Sequence, residues 1–326
     1  MTKGGSKVLP LYEFGIDPLL RFFHERNIQP AHWIQVAKRN LRKSPKKTRA
    51  KFTFSVDWKH INALPKPPCE IPWVVASFDI ECLSSHGDFP QAVKDWKKPA
   101  RDLNEMLETL NKKDYLTRSQ FREFLNGWFI HDIPNGPIKA NLSPDKFSRE
   151  WCNIHGIITK NDRKPSRAQI ENLIDNLYPI LFESRTNIVS RIYRTASIME
   201  TVLEPRVQVA PDRVVQIGTS FWRYGETKPY RHTMITLGPC SSIENVDVYA
   251  CRTEVELLRK WHTVMGEEMP DIITGYNIFG FDIPYLFKRA EDEGILEDVF
   301  QLSRFVGHTS ELRTKQVKGI GGMLVK

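Results

Sequence analysis

Asp79 and Glu81 stand two residues apart at the end of a near-continuous apolar run, Trp73 to Cys82 (WVVASFDIEC). A strand alternates its side chains with a period of two, so both carboxylates fall on one face, roughly 7 Å apart along the chain. Carboxylates are costly to bury unless they are paired or bound to a cation. Two on one face call for a positive partner, and hard oxygen ligands suit Mg2+ or Mn2+. A third carboxylate, Asp282, follows a second apolar run, DIITGYN (Asp271 to Asn277), at a loop-to-helix junction. If the two runs are neighbouring strands, Asp282 converges on the same point. Taken singly, a helix-terminal Asp serves equally well as a cap or dipole partner, and surface strands produce Asp-x-Glu by chance. The combination in this order is what is specific. Three or four carboxylates holding two ions about 4 Å apart suit phosphodiester hydrolysis, one ion activating water and the other stabilising the leaving oxygen. That chemistry needs no nucleophilic side chain, and the sequence contains no GxSxG elbow, GxxxxGK[ST] loop or HExxH pair.

The elements that must position these residues can be read around them. WVVASF is apolar enough for a strand buried on both faces at the centre of a sheet. DRVVQIGTSFWRYGE (Asp212 to Glu226) and YRHTMITLG (Tyr230 to Gly238) predict a hairpin around GETKP, and VDVYACR (Val246 to Arg252) a further strand. Thr253 with Glu256 matches a capping box. It would open a helix carrying Val255, Leu258, Trp261 and Met265 on one side. FDIPYLFKRAEDEG (Phe281 to Gly294) predicts another helix, with Pro284 tolerated in its first turn. A right-handed crossover places DIITGYN parallel to WVVASFDIEC, with the chemistry at the carboxyl ends of the two strands. The fold class expected is α/β: a mixed sheet of ribonuclease H-like type formed by 73–90 and 212–326. Residues 91–211 are polar, helix-rich and broken by turns such as IPNGP (Ile133 to Pro137), and they read as a helical insertion. RAQIENLIDNLYPILFE (Arg167 to Glu183) has the clearest helical period there.

Residues 1–72 read as part of an α+β N-terminal domain. A short strand precedes a helix-like stretch, Ile16 to Arg26, in which Leu19, Leu20, Phe22 and Phe23 can form an apolar face. KFTFSVDWKHI alternates Phe52, Phe54, Val56 and Trp58 as a half-buried strand would, and the Pro-rich KPPCEIP (Lys66 to Pro72) marks a boundary. The net charge of +8 is concentrated here, where 14 Lys and Arg face 5 Asp and Glu. It peaks at Lys38, Arg39, Arg42, Lys43, Lys46, Lys47, Arg49 and Lys51, with no acidic residue between them. A polyanion partner is the natural reading, and a solvated, flexible basic linker is the bland one. No apolar run approaches the ~20 residues that span a bilayer, and the start, MTKGGSKVLP, has no hydrophobic signal core. The five cysteines are scattered without a CxxC pair, which fits a reducing, intracellular setting rather than a zinc ribbon or disulfide framework.

Phe78-Asp79-Ile80-Glu81-Cys82, continuing to Gly87-Asp88-Phe89-Pro90, resembles the first exonuclease motif of family B DNA polymerases, and Ile273 through Asp282 (ITGYNIFGFD) resembles the second. Both look most like the DNA polymerase delta branch and its relatives in giant DNA viruses, as does LYEFGIDPLLRFFHERNIQPAHWI at the front. The resemblance implies an N-terminal fragment of a DNA-directed DNA polymerase, carrying most of a 3′→5′ proofreading exonuclease. Asp79, Glu81 and Asp282 would bind two Mg2+ or Mn2+ ions. Asn277 would hold the primer strand, and Phe89 would stack on the frayed terminal base. It further implies a viral source, replication in a host nucleus or cytoplasmic virus factory, and the remainder of the polymerase and a sliding clamp as partners. The structural alternatives are core packing for Phe89, Tyr276 and Phe281 and a turn-forming role for Asn277. The family's third motif, a Tyr followed four residues later by a last metal-binding Asp, is not matched before Lys326, and no polymerase palm motif is present. A single-strand-binding remnant or a subunit of a split polymerase is the competing reading.

Overall fold

The computed structural model describes residues 15–30, 32–65, 72–84, 89–109, 116–130, 156–183 and 186–313, together with strand pairs at 317–318 and 324–325. The expected first strand, Gly87 and Asp88, KPPCEI (66–71), IPNGP and most of the final tail lie outside the described residues.

The front segment holds helix α1 (Pro18–Glu25) and four two-residue strands: β1 (Ile34–Gln35), β2 (Arg42–Lys43), β3 (Phe54–Ser55) and β4 (Asn62–Ala63). Asp17 caps α1 by accepting from the backbone N–H of Leu19 and Leu20, and Pro18 opens the helix. β1 pairs with β4 and β2 with β3, both antiparallel. The basic run therefore includes a 3-10 turn (Lys38–Asn40) and one arm of a hairpin, and is not wholly a free linker. The expected strand from Phe52 to Trp58 is corrected to the two residues of β3. The chain then tightens into a 3-10 turn at Trp58–His60, where Asp57 accepts from the backbone of Lys59. Phe52, Phe54 and Trp58 are exposed, and so are Leu19 and Leu20 on α1. Ile28 is the segment's one buried hydrophobic among the described residues.

The main sheet contains β5 (Val74–Leu83), β8 (Arg213–Arg223), β9 (Arg231–Leu237), β10 (Asp247–Cys251) and β11 (Ile272–Thr274), in the order β10-β9-β8-β5-β11. β5–β8 and β8–β9 are antiparallel; β9–β10 and β5–β11 are parallel, so the sheet is mixed. The strand carrying Asp79 is thus interior, but β8 is the central one. Its burial also differs from the expectation of two covered faces. Ala76, Phe78 and Ile80 are buried, while Asp79 and Glu81 on the opposite face are exposed. One layer of helices explains this. α6 (Glu254–Glu268), α7 (Asp282–Asp292) and the short α8 (Leu296–Val299) share a hydrophobic cluster with the Phe78 face, in which Phe78 lies 5.3 Å from Trp261. Thr253 caps α6 through the backbone of Glu256, but the Glu256 carboxylate reaches the N–H of Arg252 and not that of Thr253, so the expected box closes one residue early.

Between β5 and β8 lies a helical body with its own core. It comprises α2 (Lys97–Thr109), α3 (Arg118–Trp128), α4 (Arg167–Tyr178) and α5 (Ile188–Leu203), with a short parallel pair, β6 (Phe129–Ile130) and β7 (Ile157–Ile158). Trp96, Phe121, Phe124, Trp128, Leu173 and Leu203 fill that core. Both Thr117 and Ser166 form complete capping boxes with the glutamine three residues on. At its entry, buried Asp212 holds Lys94 at 2.6 Å and accepts from the N–H of Gln91, tying the two chain crossings together. No described helix is long and apolar enough to cross a membrane.

Candidate metal and nucleic-acid site

The end of β11 creates the site. β11 pairs with β5 only as far as Thr274 opposite Ser77. Gly275 then turns the chain away, lying so close to β5 that a Cβ there would stand 2.5 Å from the Phe78 carbonyl oxygen. Past this point no strand lies beside this edge of β5 among the described residues. Asp282, the first residue of α7, takes the vacated place, and its Oδ1 accepts from the backbone N–H of Ile80 at 3.2 Å. The Asp282 side chain is buried, at 1% exposure. Burial raises its pKa, the carboxylate of Asp79 within hydrogen-bonding reach raises it further, and the N–H of Ile80 opposes both.

Asp79 and Asp282 therefore form a like-charged pair with one member out of water. Such a pair needs a proton or a cation, and its oxygens are the donors that Mg2+ and Mn2+ prefer. Glu81 occupies the same open face, opposite Gln216 on β8, and Asp79 lies opposite Gly218. A register shift follows Glu81 immediately, and bulges of this kind re-aim side chains at strand ends. Among the described residues, no group of three His, Cys, Asp or Glu side chains is disposed to hold one ion. The convergence seen is thus of two carboxylates, with Glu81 beside them on the face. Burial pushes the Cys82 thiol up to about 12, so Cys82 supplies no thiolate at neutral pH.

Around this pair the structure gathers aromatic rings. Phe89 is 75% exposed, which removes the core-packing alternative, and it meets Phe281 edge-on at 5.3 Å. Phe281 is half-buried and meets Tyr285 at a tilt, with ring centroids 5.2 Å apart. The expectation that Tyr276 is a core residue is corrected, because its ring is 92% exposed. Phe279, which the sequence did not single out, is exposed as well. The signal for both was the loop itself: with Ile278 as its buried anchor, the residues flanking that anchor are turned outward. Asn277 adopts a left-handed φ of 52° and its carbonyl accepts from Gly280 and Phe281, so it forms the turn that was the alternative to a strand-holding role. Its side chain is exposed and remains accessible to a ligand.

The basic run sits elsewhere. Lys38 and Arg39 lie in a 3-10 turn, Arg42 and Lys43 in β2, and Lys46, Lys47 and Lys51 around the hairpin; all seven are exposed. Arg49 is half-buried and turned inward, its guanidinium 3.3 Å from His262 Nε2 on α6. Its backbone N–H bonds the Arg304 carbonyl at 2.7 Å, and Thr48 bridges to Phe305. An open depression between this segment and α6 is lined by Lys46, Thr48, Arg49, His262 and Met269, and none of the three carboxylates lines it. Two groups missed by sequence reasoning support the site from below. Arg289 on α7 and Glu254 on α6 form a buried two-pronged ion pair at 3.0 and 2.6 Å, and Glu254 also accepts from the N–H of Val214 on β8. One ion pair thereby fixes α7, and Asp282 with it, against α6 and the sheet.

Comparison with known proteins agrees with this geometry. The chain is 28% identical over 339 residues to a DNA polymerase of Pyramimonas orientalis virus, covering 97% of this chain and 28% of that protein. It is 27% identical over 344 residues to a DNA polymerase of Phaeocystis pouchetii virus, covering 90% and 33% respectively. A stretch of 86 residues is 43% identical to the DNA polymerase delta catalytic subunit of Arabidopsis thaliana, covering 26% of this chain and 8% of that one. The chain thus spans about a third or less of the length of these relatives. The family model for the exonuclease domain of DNA polymerase family B matches residues 9–97 and 147–323, taking in both motif strands, the front segment and the later part of the helical body. With most of its residues so matched, the chain belongs to the exonuclease domain family of the family B DNA polymerases.

Proposed function

We propose that this chain carries the 3′→5′ proofreading exonuclease of a family B DNA polymerase, on a ribonuclease H-like fold. It would remove nucleotides from the 3′ end of a single DNA strand. The observation that carries this reading is the apposition of Asp79 and buried Asp282 at the edge of β5, a carboxylate pair that a divalent cation would relieve. Asp79, Glu81 and Asp282 would hold the ions. Once bound, two divalent ions supply water activation and stabilisation of the leaving oxygen. The chain's own residues do the rest. The Ile80 N–H orients Asp282, the open sheet face admits the strand beside Gly218, Phe89 offers its exposed face to the terminal base, and Asn277 offers its amide to the strand. The exposed lysines and arginines from Lys38 to Lys51 attract the DNA backbone.

The proposed division is an N-terminal segment (1–72), the exonuclease domain (73–90 with 212–326) and a helical insertion (91–211). In the parent polymerase, a sliding clamp and the polymerase domain would be the partners, in the compartment where an infecting virus replicates. The test is digestion of a 3′-labelled single strand with Mn2+ or Mg2+. Release of terminal nucleotides that disappears in Asp79→Ala supports the reading, and metal-independent binding without cleavage overturns it. That second outcome would mark a non-catalytic single-strand-binding module. The observation favouring it is that Asp79, Glu81 and Asp282 do not stand as a three-ligand group among the described residues.

A further inference from the structure

We propose that Tyr276 and Phe279 form a second stacking contact for unpaired bases, separate from Phe89, on a loop built to hold both rings in solvent. The proposal rests on the reading that the site takes a single strand.

The loop from Gly275 to Phe281 is fixed at each end and pinned in its middle. Gly275 passes against the backbone of β5 where no side chain fits. Ile278, 2% exposed, is its buried anchor in the core beneath the sheet. Asn277 turns the chain through a left-handed conformation, and Gly280 lies so close to the Asn277 side chain that a Cβ would collide with it. Hydrogen bonds of 2.8 Å from Gly280 to Asn277, 3.0 Å from Phe281 to Asn277 and 2.8 Å from Ile283 to Ile278 close the turn onto α7. A loop so constrained leaves little freedom for the residues on either side of Ile278 to swing inward.

Yet those residues are aromatic. Tyr276 is 92% exposed and Phe279 is 76% exposed. Neither has a ring partner among the described residues, whereas Phe89 leans on Phe281. Large rings left in water forfeit the gain of burial, and a surface loop at this position could carry polar side chains at no cost to the fold. The loop starts against the Phe78 carbonyl, one residue before Asp79, and Phe279 stands three residues before Asp282, so the rings lie on the chain segment that joins the two carboxylate positions. Rings exposed on the loop that leads into the proposed phosphodiester-cleaving site suit nucleobases, because every base presents a π-face irrespective of sequence. The loop would then accept the nucleotides behind the terminal one, and it would select single over double strands because only unpaired bases can stack on it.

The test uses the full chain with a single-stranded oligonucleotide carrying 2-aminopurine at successive positions from its 3′ end, in EDTA to prevent cleavage. Stacking on a ring changes the fluorescence of that base. Tyr276→Leu and Phe279→Leu keep an apolar side chain in solvent, and Phe279→Trp restores a ring. The expected result is binding weakened between about fivefold and a hundredfold by each Leu variant, loss of the fluorescence change at internal positions, recovery in Phe279→Trp, and unchanged melting temperatures. Wild-type binding with equal affinity and equal fluorescence in both Leu variants overturns this inference and leaves the proposed function standing. Failure of the wild type to bind a single strand overturns the proposed function itself.

Discussion

Gly275→Ala tests how the fold builds the site. The added methyl would stand 2.5 Å from the Phe78 carbonyl oxygen and also against the Ile278 side chain, where ordinary contact needs about 3.5 Å. The carbonyl belongs to an interior strand and Ile278 to the core, so neither can yield cheaply. The loop must therefore lift by about 1 Å. Overpacking of this kind costs about 1–3 kcal/mol, and about 1 kcal/mol shifts the melting temperature of a domain of this size by roughly 2–4 °C. Lifting the loop also draws Asp282 away from the N–H of Ile80. A misplacement of about 1 Å at a reacting centre costs about a hundredfold in rate. The expected result is thus a melting temperature lower by several degrees and a large loss of metal-dependent cleavage, read by calorimetry and by release of a 3′ label. A variant that melts with the wild type and cuts at its rate would refute the claim that Gly275 sets the position of Asp282.

Other outcomes follow from the same contacts. Glu254→Ala leaves buried Arg289 with the half-exposed carboxylates of Asp292 and Glu293 and a long bond to the Ala92 carbonyl, and orphans the Val214 N–H. A loss of about 3–5 kcal/mol is expected in urea unfolding, and a loss below about 1 kcal/mol would show that the two remaining carboxylates suffice. The raised pKa of Asp282 means that the folded chain binds more protons than the unfolded one, so without metal its contribution to stability falls as pH rises through the folded value. In EDTA, Asp282→Asn should accordingly melt above the wild type at neutral pH, with the difference vanishing below the ordinary carboxylate range; equal melting at every pH would count against the burial argument. Removing Lys38, Arg39, Arg42 and Lys43 together should flatten the salt dependence of single-strand binding by about 0.7 in log–log slope for each lost phosphate contact, and an unchanged slope would take the front hairpin out of DNA binding.

Much of the site was legible because strand chemistry is local. The alternation in SFDIEC puts Asp79 and Glu81 on one face whatever surrounds them, and a crossover helix between two apolar runs dictates parallel neighbours, as β5 and β11 are. Periodicity does not report whether a second layer exists to cover a face. WVVASF looks able to be buried on both sides, but the helices cover only one, and the exposed face is where the carboxylates lie. The same limit explains the front segment, whose alternating Phe52, Phe54 and Trp58 pair as β3 for only two residues and remain in solvent. The inward turn of Arg49 toward His262 depends on a partner 213 residues away, which a run of positive charge cannot reveal. Tyr276 reads as core because aromatic residues beside an apolar strand usually are; only the tight path from Gly275 to Ile278 shows that its ring must face outward.

The central claim is that Asp79 and Asp282 share a divalent cation. Titration of the chain with Mn2+, followed by the loss of its free electron paramagnetic resonance signal, tests it without requiring catalysis. The account predicts saturable binding in the wild type that is lost in both Asp79→Ala and Asp282→Ala, with Mg2+ competing. Undiminished Mn2+ binding in either variant, or none in the wild type, would contradict it.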